Sequence, residues 1–271
     1  MDPPLEDVDM HGKTVVVTGA NAGIGFETAL ELARLGARVI MACRCPTKGR
    51  AAADVVRRLT GNDLVVFALL DVGSLASVRN FAKALLASEE RLDVLVNNAG
   101  ITAPSKKRVT SEGLEVTLAT NYLGPFLLTN LLLELLKRSA PSRVVNVTSA
   151  LYRLGRVRLE DLEVSRECAR MEHYGVESTY ANSKLLLNLF TVHLARTLQG
   201  TGVTCNAVHP GVVSTSINEK EPGLRHFLWN SFLRTFGTLS EESPESTEMK
   251  LLVVCAALTV LAGNENFLLG E

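Results

Sequence analysis

What this chain lacks narrows its function first. Its five cysteines form no C-x-x-C pair and no spacing suited to zinc, and Cys43-x-Cys45 is the one close pair. That usage argues against a disulfide scaffold or a metal site and fits reduced thiols in a reducing, cytoplasmic location. Neither charge sign is in excess: 28 basic residues face 29 acidic ones, which gives no reason to expect nucleic acid as a partner. Aromatic residues make up 5% of the chain, with a single tryptophan, so a local cluster of them is informative. No apolar run reaches the ~18 residues a spanning helix needs. The stretches 127–136 and 251–262 are both too short, and the acidic start, Met1-Asp-Pro-Pro-Leu-Glu-Asp-Val-Asp9, has no signal-peptide core. The expectation is a chain without a transmembrane helix, with peripheral membrane contact left open.

What is present is a regular alternation of β-rich and helical runs. Thr14–Thr18, Arg38–Cys43, 64–70, Val94–Asn97, 143–148 and 204–209 read as strands, several of them apolar at nearly every position. Helical spacing fills 26–35, 46–59, a segment opened by Ser74, 112–138 and 179–198, with a break expected at Gly124-Pro125 because proline lacks the donor a helix interior needs. Alternation of this kind predicts an α/β fold: one Rossmann-type, doubly wound parallel β-sheet with helices on both faces, in a single domain over 1–271.

The turn after the first strand reads Thr18-Gly19-Ala-Asn21-Ala-Gly23-Ile24-Gly25. Glycines there permit a tight turn and close approach of a pyrophosphate to a helix N-terminus. The spacing is G-x-x-x-G-x-G, not G-x-G-x-x-G, and a plain glycine-rich turn is the bland alternative. The second strand ends Ala42-Cys43-Arg44, with Lys48 a turn later. A carboxylate at that place would bind the ribose 2′-OH of NAD, whereas an arginine accommodates a 2′-phosphate. Without the acid, NADP(H) is the expected cofactor, although two solvated surface cations would look the same. Asp71, ending the third strand, could meet adenine or cap the next helix.

Further on, Tyr180-Ala-Asn-Ser-Lys184 puts a phenol and an ammonium on one helix face. A cation there favours the phenolate and prepares Tyr180 for general acid–base work. Asn97-Asn98-Ala-Gly100, Asn121 and Ser149 stand at element ends, where Asn and Ser are commonly caps or turns. Each motif alone is weak, but the ordered set is specific.

Together these motifs resemble the short-chain dehydrogenase/reductase family over roughly residues 12–245, and within it the retinol dehydrogenase branch. Val39-Ile-Met-Ala-Cys-Arg44, the 121–133 run beginning Asn-Tyr-Leu-Gly-Pro-Phe, Ala140-Pro-Ser-Arg-Val-Val-Asn-Val-Thr-Ser149, Arg156-Val-Arg-Leu-Glu-Asp-Leu162 and His209-Pro-Gly-Val-Val-Ser-Thr215 carry the likeness. The resemblance implies Tyr180 as the acid that protonates a carbonyl oxygen, Lys184 as its tuning cation and ribose ligand, and Ser149 as the group orienting the carbonyl. Asn121 would hold a water linking Lys184 to solvent, Asn98 would steady the adenine side, and Thr215 would meet the nicotinamide amide. It also implies a homo-oligomer. Two segments depart from the family's pattern or stand out. Residues 219–239 hold Phe227, Trp229, Phe232 and Phe236, an apolar set read as a substrate lid for a retinoid, lipid aldehyde or steroid, or as an amphipathic helix. Residues 246–271 match the expected ending poorly. That divergence keeps open a non-catalytic, cofactor-binding interaction protein beside the enzyme.

Overall fold

The computed structural model describes residues 8–104, 108–157 and 179–210. Six strands, β1 (Thr14–Thr18), β2 (Arg38–Cys43), β3 (Val66–Leu69), β4 (Val94–Asn97), β5 (Ser142–Val147) and β6 (Val203–Val208), form one parallel sheet in the order β3-β2-β1-β4-β5-β6. Helices α1 (Gly23–Arg34) and α2 (Pro46–Thr60) cover one face. The other face carries α3 (Leu75–Ser88), α4 (Val116–Arg138) and α5 (Ala181–Thr197).

The strand pleat explains the near-continuous apolar runs. Val15 and Val17 pack toward α1 and α2, while Val16 between them packs toward α3 and α4, and all three are fully buried. The register is tight across the centre, with Val16 opposite both Ile40 on β2 and Leu95 on β4. Strand order reverses between β1 and β4, which opens a crevice at their carboxyl ends, the place where open α/β sheets bind ligands. Asp93 lies at the far end of the sheet, accepting from Thr14 N at 2.9 Å and pairing with Lys13 at 3.3 Å and Arg91 at 2.6 Å. These contacts tie β1 to β4 away from the crevice.

Two expectations about elements are corrected. Strand β3 is shorter than 64–70, because Asn62 turns the chain before it. Its Oδ1 accepts from Leu64 N, and its Nδ2 donates to Ala33 O and Ala37 O, all at 2.9 Å. Helix α4 does not break at Gly124-Pro125. A π-helical turn, Ala119–Leu123, widens the helix just ahead of the proline, which then sits at the start of the α-helical stretch where its missing donor is tolerated. The resulting helix runs 23 residues, longer than the apolar stretch 127–136 suggested. By length and composition it could cross a membrane. Here it is a core helix, with Leu128, Leu132, Leu135 and Leu136 fully buried.

Candidate active site

The glycines of the first turn are placed by geometry that other residues could not meet. Gly19 has φ +67° and Gly23 φ +55°, both in the left-handed region. A Cβ on Gly25 would lie 2.3 Å from Asn98 Nδ2 and 2.7 Å from Gly19 O. Ala22, which caps α1, offers no side-chain acceptor, and the first turn carries no acid, so the helix N-terminus faces the crevice without an anion of its own. This cradle fits a dinucleotide pyrophosphate. Asn21 and Ile24 lie half-buried within the turn.

Thr18, which the sequence reading passed over, organises the base of that cradle. Its hydroxyl donates to Val96 O at 3.3 Å and accepts from Asn98 N and Ala99 N, both at 3.0 Å. Asn98 Nδ2 donates to Thr18 O at 2.9 Å. The two neighbouring asparagines therefore have separate work. Asn98 staples β4 to the turn after β1, while Asn97 points into the core and donates to Asn146 Oδ1 at 2.8 Å and Thr129 Oγ1 at 3.0 Å. A polar threonine ending a buried valine strand was the signal available for Thr18.

At the end of β2, Arg44 and Lys48 are both exposed. Lys48 lies in the first turn of α2, whose cap residue Cys45 makes no side-chain capping bond. Cys43 lies beneath them, its thiol pushed up to about 11 by burial and pulled down only in part by the backbone N–H groups of Ala20 and Asn21. No disulfide occurs among the described residues, where Cys43, Cys45 and Cys205 are free. Asp71 makes a local turn, its Oδ1 accepting from Gly73 N at 2.9 Å. That bond closes a turn ahead of α3, whose cap is Ser74 with its Oγ accepting from Ser77 N at 3.3 Å, so Asp71 is not the helix cap.

Ser149, Tyr180, Lys184 and Asn121 come together beyond β4 and β5. Ser149 caps a short 3-10 turn, Ala150–Leu154, and its Oγ accepts from Leu151 N at 3.3 Å. Burial raises the Tyr180 phenol above its usual range, and a hydrogen bond with Ser149 opposes this. Lys184 is 4% exposed; its Nζ donates to Val147 O at 2.8 Å and stands 5.7 Å from the centre of the Tyr180 ring. Desolvation lowers the ammonium to about 8. The phenol is thus shifted upward by burial, opposed by Ser149, and not downward as the Tyr180–Lys184 spacing suggested.

Asn121 sits within the π-helical turn of α4, 1% exposed. Its Oδ1 accepts from Ile101 N at 2.9 Å, and its Nδ2 donates to Ile101 O at 2.9 Å and Ser183 Oγ at 3.0 Å. Both amide hydrogens are committed to protein, which leaves the second lone pair of Oδ1 as the side chain's remaining place for a water. Thr215 and the segments 219–239 and 246–271 lie outside the described residues. Among the described residues, no cluster of three or more potential metal ligands occurs.

A short chain dehydrogenase family model matches residues 13–159 and 165–223. Dehydrogenase/reductase SDR family member 13 of Bos taurus is 50% identical over 221 residues, which are 79% of this chain and 55% of that protein, so the chain spans about half the length of this relative. Retinol dehydrogenase 12 of Mus musculus is 46% identical over 90% of this chain and 75% of its own length. Retinol dehydrogenase 11 of Homo sapiens is 43% identical over 95% and 77%. Among solved structures, the Pseudomonas aeruginosa RhlG/NADP active-site complex superposes with a TM-score of 0.69 at 27% identity, covering 94% of this chain and 93% of that one. With a parallel sheet in the order 3-2-1-4-5-6, a glycine cradle at the switch point and a matching family model over most of its length, the chain belongs to the short-chain dehydrogenase/reductase family.

Proposed function

We propose that this chain is an NADP(H)-dependent oxidoreductase that interconverts an apolar carbonyl compound and its alcohol, built as a single domain. The observation that carries the reading is the convergence of Ser149, Tyr180 and Lys184 at the carboxyl ends of the central strands, beside the glycine cradle. The bound nicotinamide cofactor would supply or accept the hydride.

The protein's own groups handle the oxygen and the proton. Ser149 Oγ and the Tyr180 hydroxyl lie within hydrogen-bond reach of each other, and when a carbonyl oxygen enters between them that bond gives way so that each hydroxyl donates to it and polarises it. In reduction, the Tyr180 proton passes to the oxygen as negative charge develops there. Lys184, 5.7 Å from the phenol ring, lies near enough to stabilise the phenolate left behind once the ligands complete the site. Burial raises the phenol's pKa, which keeps Tyr180 protonated and ready to donate at neutral pH.

Arg44 and Lys48, with no acid at the end of β2, favour the 2′-phosphorylated cofactor. The likeness to two retinol dehydrogenases and the apolar 219–239 stretch support a retinoid or lipid aldehyde as substrate. Tyr180→Phe is the direct test. NADPH titration by nucleotide fluorescence should give an unchanged affinity, while retinal reduction falls to background. Substantial remaining turnover would overturn the assignment of Tyr180.

A further inference from the structure

Ser183 lies between Tyr180 and Lys184 in sequence, yet it faces away from the reacting groups. It is fully buried, and its hydroxyl makes two bonds. It donates to Tyr180 O at 2.7 Å and accepts from Asn121 Nδ2 at 3.0 Å. Both partners sit where helical backbone is widened. Asn121 lies inside the π-helical turn of α4, and Thr179 with Tyr180 form a π-type turn ahead of α5. Such turns interrupt the regular helix and are frequent at functional sites. Tyr180 is the cap of α5, so its carbonyl takes the first helical bond, and the Ser183 hydroxyl adds a second from one turn on.

The bonds continue beyond Asn121. That amide clamps Ile101 through both its backbone N–H and its carbonyl, at 2.9 Å each. Ile101 follows Gly100, where a Cβ would stand 3.4 Å from Asn121 Oδ1 and 3.5 Å from Lys184 Nζ. One continuous path therefore runs from the loop after β4, through Asn121, to Ser183 and the backbone of Tyr180.

We infer that Ser183 is a positioning residue, acting through Asn121 and the Tyr180 carbonyl to hold the phenol at its working angle to Ser149. This rests on the reading of Tyr180 as acid/base. Without the hydroxyl, an Asn121 amide hydrogen is left buried and unpaired, and the bridge between Asn121 and the Tyr180 carbonyl is lost. A displacement of that kind costs rate far more than affinity for the cofactor, whose cradle lies on β1 and α1.

The test is a double-mutant cycle on the full chain, with Ser183→Ala, Asn121→Ala and the pair, using NADPH and retinal. Each single change is expected to lower kcat about 10- to 100-fold, the pair no further than the worse single, with NADPH affinity unchanged. The basic limb of the kcat pH profile should shift in Ser183→Ala. Effects of the two changes that multiply would overturn the inference, as would a Ser183→Ala protein that loses thermal stability while keeping kcat and its pH profile. If Ser183→Ala does not fold, Ser183→Cys, similar in size but a weaker donor, is read by the same criteria. Tyr180→Phe run in parallel separates the two readings. An inactive Tyr180→Phe beside a fully active Ser183→Ala refutes the positioning role alone, whereas an active Tyr180→Phe refutes the acid/base reading beneath it.

Discussion

An alanine at Gly25 would place its Cβ 2.3 Å from Asn98 Nδ2, the group that joins β4 to the turn after β1. Gly25→Ala should therefore displace the Asn98 staple and weaken NADPH binding by at least about ten-fold, checked by fluorescence titration. At the other end of the cradle, Arg44→Ala with Lys48→Ala should cost NADPH about 10- to 100-fold in affinity while leaving NADH nearly unchanged. Equal losses for both nucleotides would contradict the 2′-phosphate reading. Lys184 makes a prediction in pH. Burial holds its folded pKa at about 8, below the usual 10.5, so the unfolded chain binds the proton more tightly. Stability should then rise as pH passes from 8 toward 10.5 by on the order of 3 kcal/mol, and the cost is fully present below 8. Melting curves of the wild type and Lys184→Met, compared across that window, should converge or cross. Parallel curves would show that Lys184 is not desolvated.

Among the elements, α4 departs furthest from what its sequence suggests. Gly124-Pro125 reads as a helix break, but the chain passes it through a π-helical turn, and Gly124 is there for contact: a Cβ would lie 1.9 Å from Val72 O. Gly124→Ala should push α4 off the loop after β3, costing about 1–3 kcal/mol, with the melting temperature lowered about 2–4 °C per kcal/mol. The wide turn also places Asn121, so the same substitution should lower kcat, whereas an alanine on the outer face of α4 should change neither. Strand boundaries were easier to read. Thr14–Thr18, Arg38–Cys43 and Val94–Asn97 fall where apolar runs meet turn residues. β3 lost its first residues to a side-chain turn at Asn62, a competition that hydrophobic pattern does not register.

At the scale of the whole molecule, the sheet and the place of the site were legible because a parallel sheet buried on both faces leaves a periodic apolar signature, and its ligands can only gather at the switch point. The glycine turn and the Tyr180–Lys184 pair announce themselves by spacing along one chain segment. Thr18 and Ser183 do not, since their roles arise from bonds to Val96, Asn98 and Asn121, far off in sequence. The upward shift of the Tyr180 phenol was equally hidden, because it depends on how deeply the group is packed. What unites these parts is a single chemical claim, that hydride moves between nicotinamide and an apolar carbonyl while Tyr180 handles the proton. Incubating the full chain with NADPH deuterated at the transferring carbon, together with retinal, a medium-chain aldehyde or a steroid ketone, tests it by mass spectrometry of the product. The account expects a deuterium on the former carbonyl carbon of at least one product alcohol with the wild type, and none with Tyr180→Phe. Bound NADPH with no labelled alcohol from any of the three would contradict it.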